Sequence, residues 1–198
     1  MGIVKIIEII ALVAGVPYMI LEVLQKNAMW YFGIFTSTAC AIQFGLEHNW
    51  ANMGLNCYYV IMAFWGLYKW GKDSLLMDAE GASSGKAIHL RHLGLRKGLV
   101  SLLLFAAGAA VLFLVLKATG AQNPFFDAFS TALCVVAMFW LAESVPFHWV
   151  LWIIGDLVLV HLCYLEHKYL MAVLYAAYVA ASSYGLFHWF RSGRYVDD

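Results

Sequence analysis

The sequence predicts an all-α integral membrane bundle of seven transmembrane helices, and three observations carry that prediction. Apolar residues make up 64% of the 198 positions and charged residues only 12%, against about 45–50% and about 25% in soluble domains. Mean hydropathy is +0.77. The apolar residues gather into seven runs, each near the roughly 20 residues a helix needs to span hydrocarbon. Finally, the chain matches itself at an offset of 119 positions: residues 30–70 lie over 149–189 without a gap, and eleven of those forty-one positions are identical. Trp30, Ile34, Leu46-Glu47-His48, Leu55, Tyr59-Val60, Gly66-Leu67 and Trp70 meet Trp149, Ile153, Leu165-Glu166-His167, Leu174, Tyr178-Val179, Gly185-Leu186 and Trp189. Upstream at the same offset, Glu8 meets Asp127. Internal duplication in a membrane protein points toward transport.

The first run, 3–24, is too long for the apolar core of a signal peptide, holds Glu8, and precedes no small-residue cleavage pattern, so it is expected to remain as a helix. Runs 28–46 and 51–70 complete a triplet over residues 1–70. Residues 71–97 form a polar linker containing the flexible stretch Gly81-Ala82-Ser83-Ser84-Gly85. Run 98–117 carries no charge from 98 to 116, and its small segment Ala106-Ala107-Gly108-Ala109-Ala110 suits helix packing. Runs 126–144, 147–165 and 169–190 form the second triplet, within 120–190. Three helices invert the chain, so the single helix 98–117 restores its direction. Both triplets then run the same way, a 3+1+3 parallel tandem repeat in one transmembrane domain, 1–198. Parallel repeats of this kind occur in SWEET-type carriers, and the sequence predicts a SWEET-like bundle.

Lys5, Lys117 and Lys168 fall on one side. Lys26, Lys69, Lys72, Lys86, Arg91, Arg96, Lys97, Arg191 and Arg194 fall on the other. The positive-inside rule puts that second side, including the linker and the C-terminus, in the cytoplasm and the N-terminus outside. The linker's basic residues can also meet anionic lipid headgroups. Cys40, Cys57, Cys134 and Cys163 lie within predicted helices without CxxC spacing, so they read as small packing residues. No metal site, cofactor, catalytic residue or nucleic-acid partner is expected. An enzyme is disfavoured because GxSxG, HExxH and ligand-spaced clusters are absent. A structural or sensory membrane protein would not need polar mid-helix faces in both halves.

The sixth helix places Trp149, Trp152 and Asp156 at i, i+3 and i+7, on one face. Asp156 lies mid-span, where a carboxylate costs roughly 2.5–3.5 kcal/mol unless it meets a cavity or partner. Two indoles beside a carboxylate suit a flat cationic ring; the tryptophans also fit an interfacial aromatic belt. The third helix offers Asn52, Asn56 and Tyr59 on one face, able to bond sugar hydroxyls or neighbouring helices. The seventh offers Tyr175, Tyr178 and Ser182, with Ser183 adjacent. Thr36, Ser37, Thr38 and Gln43 on the second helix and Ser130 and Thr131 on the fifth are further polar candidates, and Asp127 suits an N-terminal cap. Substrate binding is therefore expected at Asn52, Asn56, Tyr59, Trp149, Trp152, Asp156, Tyr175, Tyr178 and Ser182, with substrate held between the repeats near the midplane. His48 and His167, beside Glu47 and Glu166, fit structural pairs at helix ends, with a proton relay as the weaker alternative; His148 and His188 lie near interfaces and His161 mid-helix.

Several of these segments are familiar. Asn56-Cys57-Tyr58-Tyr59 followed by Tyr68-Lys69-Trp70 resembles the third helix of the PnuC vitamin transporter family. Asp127-Ala128-Phe129-Ser130-Thr131 resembles the start of its fifth helix, His148-Trp149-Val150-Leu151-Trp152-Ile153-Ile154-Gly155-Asp156 its WxxW helix, and Tyr169 to Trp189 its last. The resemblance covers nearly the whole chain outside the linker and the C-terminal tail. It implies import of a non-phosphorylated vitamin across the bacterial inner membrane by facilitated diffusion, a cytoplasmic kinase that traps the product, and often a homotrimer. Substrates implied by the family are nicotinamide riboside, thiamine and, in some members, riboflavin. Members of the nicotinamide riboside type commonly carry Asn at Asp156 and Gln at Asn56. The added carboxylate and the short chain also fit a thiamine-type member.

Overall fold

Apolar helices in hydrocarbon must satisfy their own backbone groups, and the computed structural model is almost wholly helical. It describes residues 17–46, 48, 50–79, 88–165, 167 and 169–196. Lys5, Glu8, Glu47, Glu166, Lys168, Lys86 and the segment 81–85 lie outside the described residues. The end of α1 covers 17–23. It is followed by α2 (Ala28–Leu46), α3 (Trp50–Ala79), β1 (Ile88–Leu90), α4 (Leu95–Ala118), α5 (Pro124–Ala142), α6 (His148–Leu165), α7 (Tyr169–Ser192) and β2 (Gly193–Tyr195). Three of these helices, α4, α5 and α6, are long and apolar enough to cross a membrane by length and composition.

Two features differ from expectation. The third helix runs nine residues past the predicted end at 70, so much of the expected linker is helical. The chain is also not purely α: β1 and β2 pair as a two-stranded sheet. Gln25 anchors β1. Its side-chain amide donates to the His89 carbonyl at 2.8 Å, and the His89 amide donates to Gln25 Oε1 at 2.7 Å. The His89 ring meets Trp70 at 5.7 Å, and its Nε2 lies 3.9 Å from Asp73 Oδ2, where both side chains are buried. Here the polar end of α3 packs against β1, which gives the buried Asp73 a polar neighbour.

Two compact units divide the chain. The first holds 1–89, 142–144 and 192–198; the second holds 90–141 and 145–191. In the first, α2 packs on α3 through Trp30, whose ring fills the space left by Gly66 and meets Trp70 edge-on at 4.9 Å. In the second, Trp149 fills the space left by Gly185 and meets Trp189 edge-on at 5.7 Å. All four tryptophans are fully buried. The same offset of 119 recurs in the backbone. Lys26 N–H donates to Leu21 O and Val145 N–H to Trp140 O, both at 2.8 Å. Gln25 and Ser144, and then His48 and His167, take positive φ of 48°, 56°, 57° and 58°. These are helix ends closed by a left-handed residue, a place usually given to glycine; α4 follows that habit with Gly120 at φ 77°.

Ser144 gains nothing visible from its side chain: it is fully buried, and its Oγ finds no hydrogen-bond partner among the described residues. Ser144→Gly removes both the left-handed strain, roughly 1–2 kcal/mol, and an orphaned hydroxyl. The expected result is a higher unfolding midpoint in detergent; a lower one would show that the hydroxyl is satisfied.

The helix 98–117, expected as a packing element, presents most of its surface outward: Leu99, Leu102, Leu103 and Leu104 are exposed, as are Ala106 and Ala107. It touches α5 through Ser101 Oγ, which accepts from Trp140 Nε1 at 2.9 Å, and through Phe105 against Phe129 at 5.5 Å. Its apolar exterior suits lipid. Asp127 lies in the first turn of α5, after Asn123 and the helix-starting Pro124, where a carboxylate favours the helix dipole.

Candidate functional site

The second unit gathers the polar face that the sequence singles out. Asp156 is the ninth residue of the eighteen in α6 and is half-buried. Its carboxylate is close enough to Tyr175 and Tyr178 of α7 for its charge to act on both phenols. The tyrosine rings stand 6.2 Å apart at 74°. Cys134 of α5 and Cys163 of α6 also lie near Tyr175. One turn before Asp156, Trp152 keeps its indole Nε1 buried without a hydrogen-bond partner among the described residues. Ser182, one turn beyond Tyr178, is 1% exposed. Two helices thus bring a carboxylate, two phenols and an N–H donor without a partner among the described residues to one region, a set that can balance a cation and bond hydroxyls.

Trp149 departs from this group. It shares the predicted face, yet its ring is enclosed by Gly185, Trp189 and His148, whose ring is 4.6 Å away. Trp30, 119 positions earlier, does the same against Gly66 and Trp70 in the first unit. The spacing i, i+3, i+7 fixes a direction, and the first of the three positions points into packing. His148, likewise fully buried, meets the Val145 carbonyl through Nδ1 at 2.8 Å.

Several other expected polar contacts are spent locally. Asn56 Nδ2 donates to the Asn52 carbonyl at 2.9 Å, Thr36 to Phe32, Ser130 to Asp127 and Ser183 to Val179, the back-bonding usual for such side chains inside helices. Asn52 is exposed, while Asn56 and Tyr59 are half-buried, all in the first unit. Ser37 and Thr131 are half-buried, Thr38 is exposed and Gln43 is buried. His48 meets Trp50 edge-on at 5.7 Å, and His167 Nδ1 meets the Tyr169 hydroxyl at 3.0 Å. His161 is exposed beside Phe126, and His188 stacks on Tyr184 at 5.9 Å. The cysteines are free, and no His, Cys, Asp or Glu cluster able to hold a metal occurs among the described residues.

Two polar groups escaped the sequence reading: Gln25 with His89 and Asp73, and Glu143 with Lys69 and Trp65. The signal available was a carboxylate near each of two predicted helix ends, Asp73 and Glu143, which must find a partner wherever packing buries it.

A family model described as nicotinamide mononucleotide transporter matches residues 5–191, almost the entire chain. The chain belongs to that family. Membership places it among multi-pass membrane transporters and not among enzymes. Among its relatives, the nicotinamide riboside transporter PnuC of Escherichia coli (strain K12) is 24% identical over 207 residues, covering 95% of this chain and 86% of the relative. PnuC of Shigella flexneri matches to the same extent. A solved structure described as the crystal structure of the vitamin B3 transporter PnuC superposes with a TM-score of 0.66 at 20% identity, covering 92% of this chain and 79% of that one. That likeness shows a shared fold for the transporter family.

Proposed function

We propose that this chain imports nicotinamide riboside by facilitated diffusion with alternating access. The observation that carries the reading is the grouping of Trp152, Asp156, Tyr175 and Tyr178 in a chain whose curated relatives are named nicotinamide riboside transporters. The nicotinamide ring of that nucleoside is a flat cation joined to a polyhydroxylated ribose. A carboxylate with aromatic neighbours suits the first part and phenols with Ser182 the second. Trp149 belongs behind this surface, as a residue that sets the angle of α6. Thiamine is the second reading, favoured by one feature: a carboxyl group, rather than an amide, at position 156.

A 3+1+3 arrangement with both triplets in one orientation, in the SWEET-like manner, is supported by the paired tryptophan–glycine contacts and left-handed helix ends at an offset of 119. The charge bias supports a cytoplasmic C-terminus in a bacterial inner membrane. A cytoplasmic kinase acting on the product, and a homotrimer, complete the proposal.

Uptake of radiolabelled nicotinamide riboside into proteoliposomes, with unlabelled thiamine and riboflavin as competitors, tests the substrate. Uptake competed by thiamine alone would favour the second reading. Transport is further expected to be uncoupled, because no described membrane helix carries paired mid-span acids with a basic partner, the usual mark of a proton relay. Substrate should equilibrate and go no further. Accumulation of unmodified substrate above its external level under an imposed pH gradient would contradict this.

A further inference from the structure

Glu143 is 5% exposed, in the turn that joins α5 to α6. Residues 142–144 of that turn group with the first compact unit, which contains α3. There one oxygen of Glu143, Oε1, accepts from Trp65 Nε1 at 3.1 Å and lies 3.4 Å from Lys69 Nζ. Lys69 in turn sits 5.8 Å from the centre of the Trp65 ring. Trp65 and Lys69 are one helical turn apart, so both reach the carboxylate from the same face of α3. The partners are 78 positions apart in sequence for Trp65, so nothing local holds them together.

The other repeat has no such pairing. The positions matching Trp65, Lys69 and Glu143 are Tyr184, His188 and Leu24. Tyr184 and His188 stack on each other in α7, and Leu24 is exposed. The two halves thus share the helices at this offset, while the ion pair stands on one side. Burying a charged pair gains little stability over apolar packing of the same volume, so its presence calls for another use, and a reversible, directional contact is one. An ion pair whose members can rehydrate separates more readily than an interlocked apolar surface, while in place it still fixes a single geometry.

We propose that Glu143, Lys69 and Trp65 form a clasp that closes one end of the transport path and must open in each cycle, so that the turn between α5 and α6 parts from α3 as substrate passes. These residues act on access and do not touch the substrate. The inference rests on the transport reading, and uptake by the unaltered chain tests that reading separately.

The test uses Lys69→Cys with Glu143→Cys in a chain lacking Cys40, Cys57, Cys134 and Cys163, reconstituted in proteoliposomes. A short bifunctional methanethiosulfonate should join the two thiols, verified by mass. Before cross-linking, uptake of labelled nicotinamide riboside should persist. It should fall in proportion to the joined fraction and return on reduction, while the joined protein still binds nicotinamide riboside by calorimetry. Undiminished uptake by fully joined protein would overturn the proposal. So would loss of binding on joining, or loss of uptake before joining, since either makes the group a structural tie. A charge swap gives a second reading: Lys69→Glu and Glu143→Lys should each lower uptake by at least about tenfold, and the double variant should recover most of it. A double variant no better than the singles counts against the clasp.

Discussion

Gly66→Ala is expected to be among the most damaging single-methyl additions in this protein. A Cβ at Gly66 would lie 2.2, 2.4 and 2.5 Å from three carbons of the Trp30 ring, and at Gly185 it would lie 2.7, 2.7 and 2.8 Å from Trp149. Neither ring has room to swing. Trp30 is fully buried against Trp70, and Trp149 against Trp189 and His148. Overpacking of this kind costs typically about 1–3 kcal/mol and at times more, and the shorter approach makes Gly66 the worse site. Helix propensity works the other way, since alanine beats glycine by about 1 kcal/mol in a helix interior. At Gly54 and Gly71, also in α3, an added methyl would meet nothing within 4 Å, so Gly54→Ala and Gly71→Ala should be neutral or stabilising. Unfolding midpoints of the four variants in one detergent check the order. Adding Trp30→Phe to Gly66→Ala should restore part of the loss, because the clashing atoms belong to the far ring of the indole. Equal midpoints for Gly66→Ala and Gly54→Ala would mean that α2 and α3 are not held together through this contact.

The second large effect is on binding. Asp156→Ala should lower affinity for nicotinamide riboside by about 1–3 kcal/mol, the usual cost of leaving a buried polar partner unmatched, which is roughly 5- to 150-fold in Kd. Asp156→Asn keeps the size and one acceptor while removing the charge. Its loss should be smaller if hydroxyl bonding dominates, and equal to that of alanine if charge balance does. Stability should move the opposite way. A carboxylate at mid-span costs roughly 2.5–3.5 kcal/mol on insertion, so either variant should melt at or above the wild-type midpoint. Calorimetry and thermal unfolding on the same sample separate the two effects. Wild-type affinity in Asp156→Ala would remove this residue from the site, and a collapsed midpoint would make its role structural.

The family and the membrane setting could be read from the chain alone. Composition decides the solvent, because so few charged residues cannot cover a water-soluble surface. Self-match at an offset of 119 predicts a duplication, and like contacts recur at that offset: Trp30 on Gly66 and Trp149 on Gly185, positive φ at Gln25 and Ser144 and at His48 and His167. Helix limits from 28 onward mostly fell within a few residues, because apolar runs end where the hydrocarbon does. The exception was α3, where hydropathy drops after Trp70 but the helix continues to Ala79. Its buried Asp73 is matched by His89, which lies in β1 beyond the end of the helix.

What only the tertiary structure decided was which of several like residues is walled in by its neighbours and which keeps a polar group open. Trp149 and Trp152 are equivalent by spacing, yet one is walled in by Gly185 and Trp189 while the other, one turn before Asp156, keeps a buried N–H with no partner among the described residues. Helical periodicity reports the direction in which a side chain points, never what stands opposite. The Gln25–His89 and Trp65–Glu143 bonds join positions 64 and 78 residues apart. Such pairings depend on how whole helices pack, and a polar residue at a helix end gives no local sign of the partner that packing will bring to it.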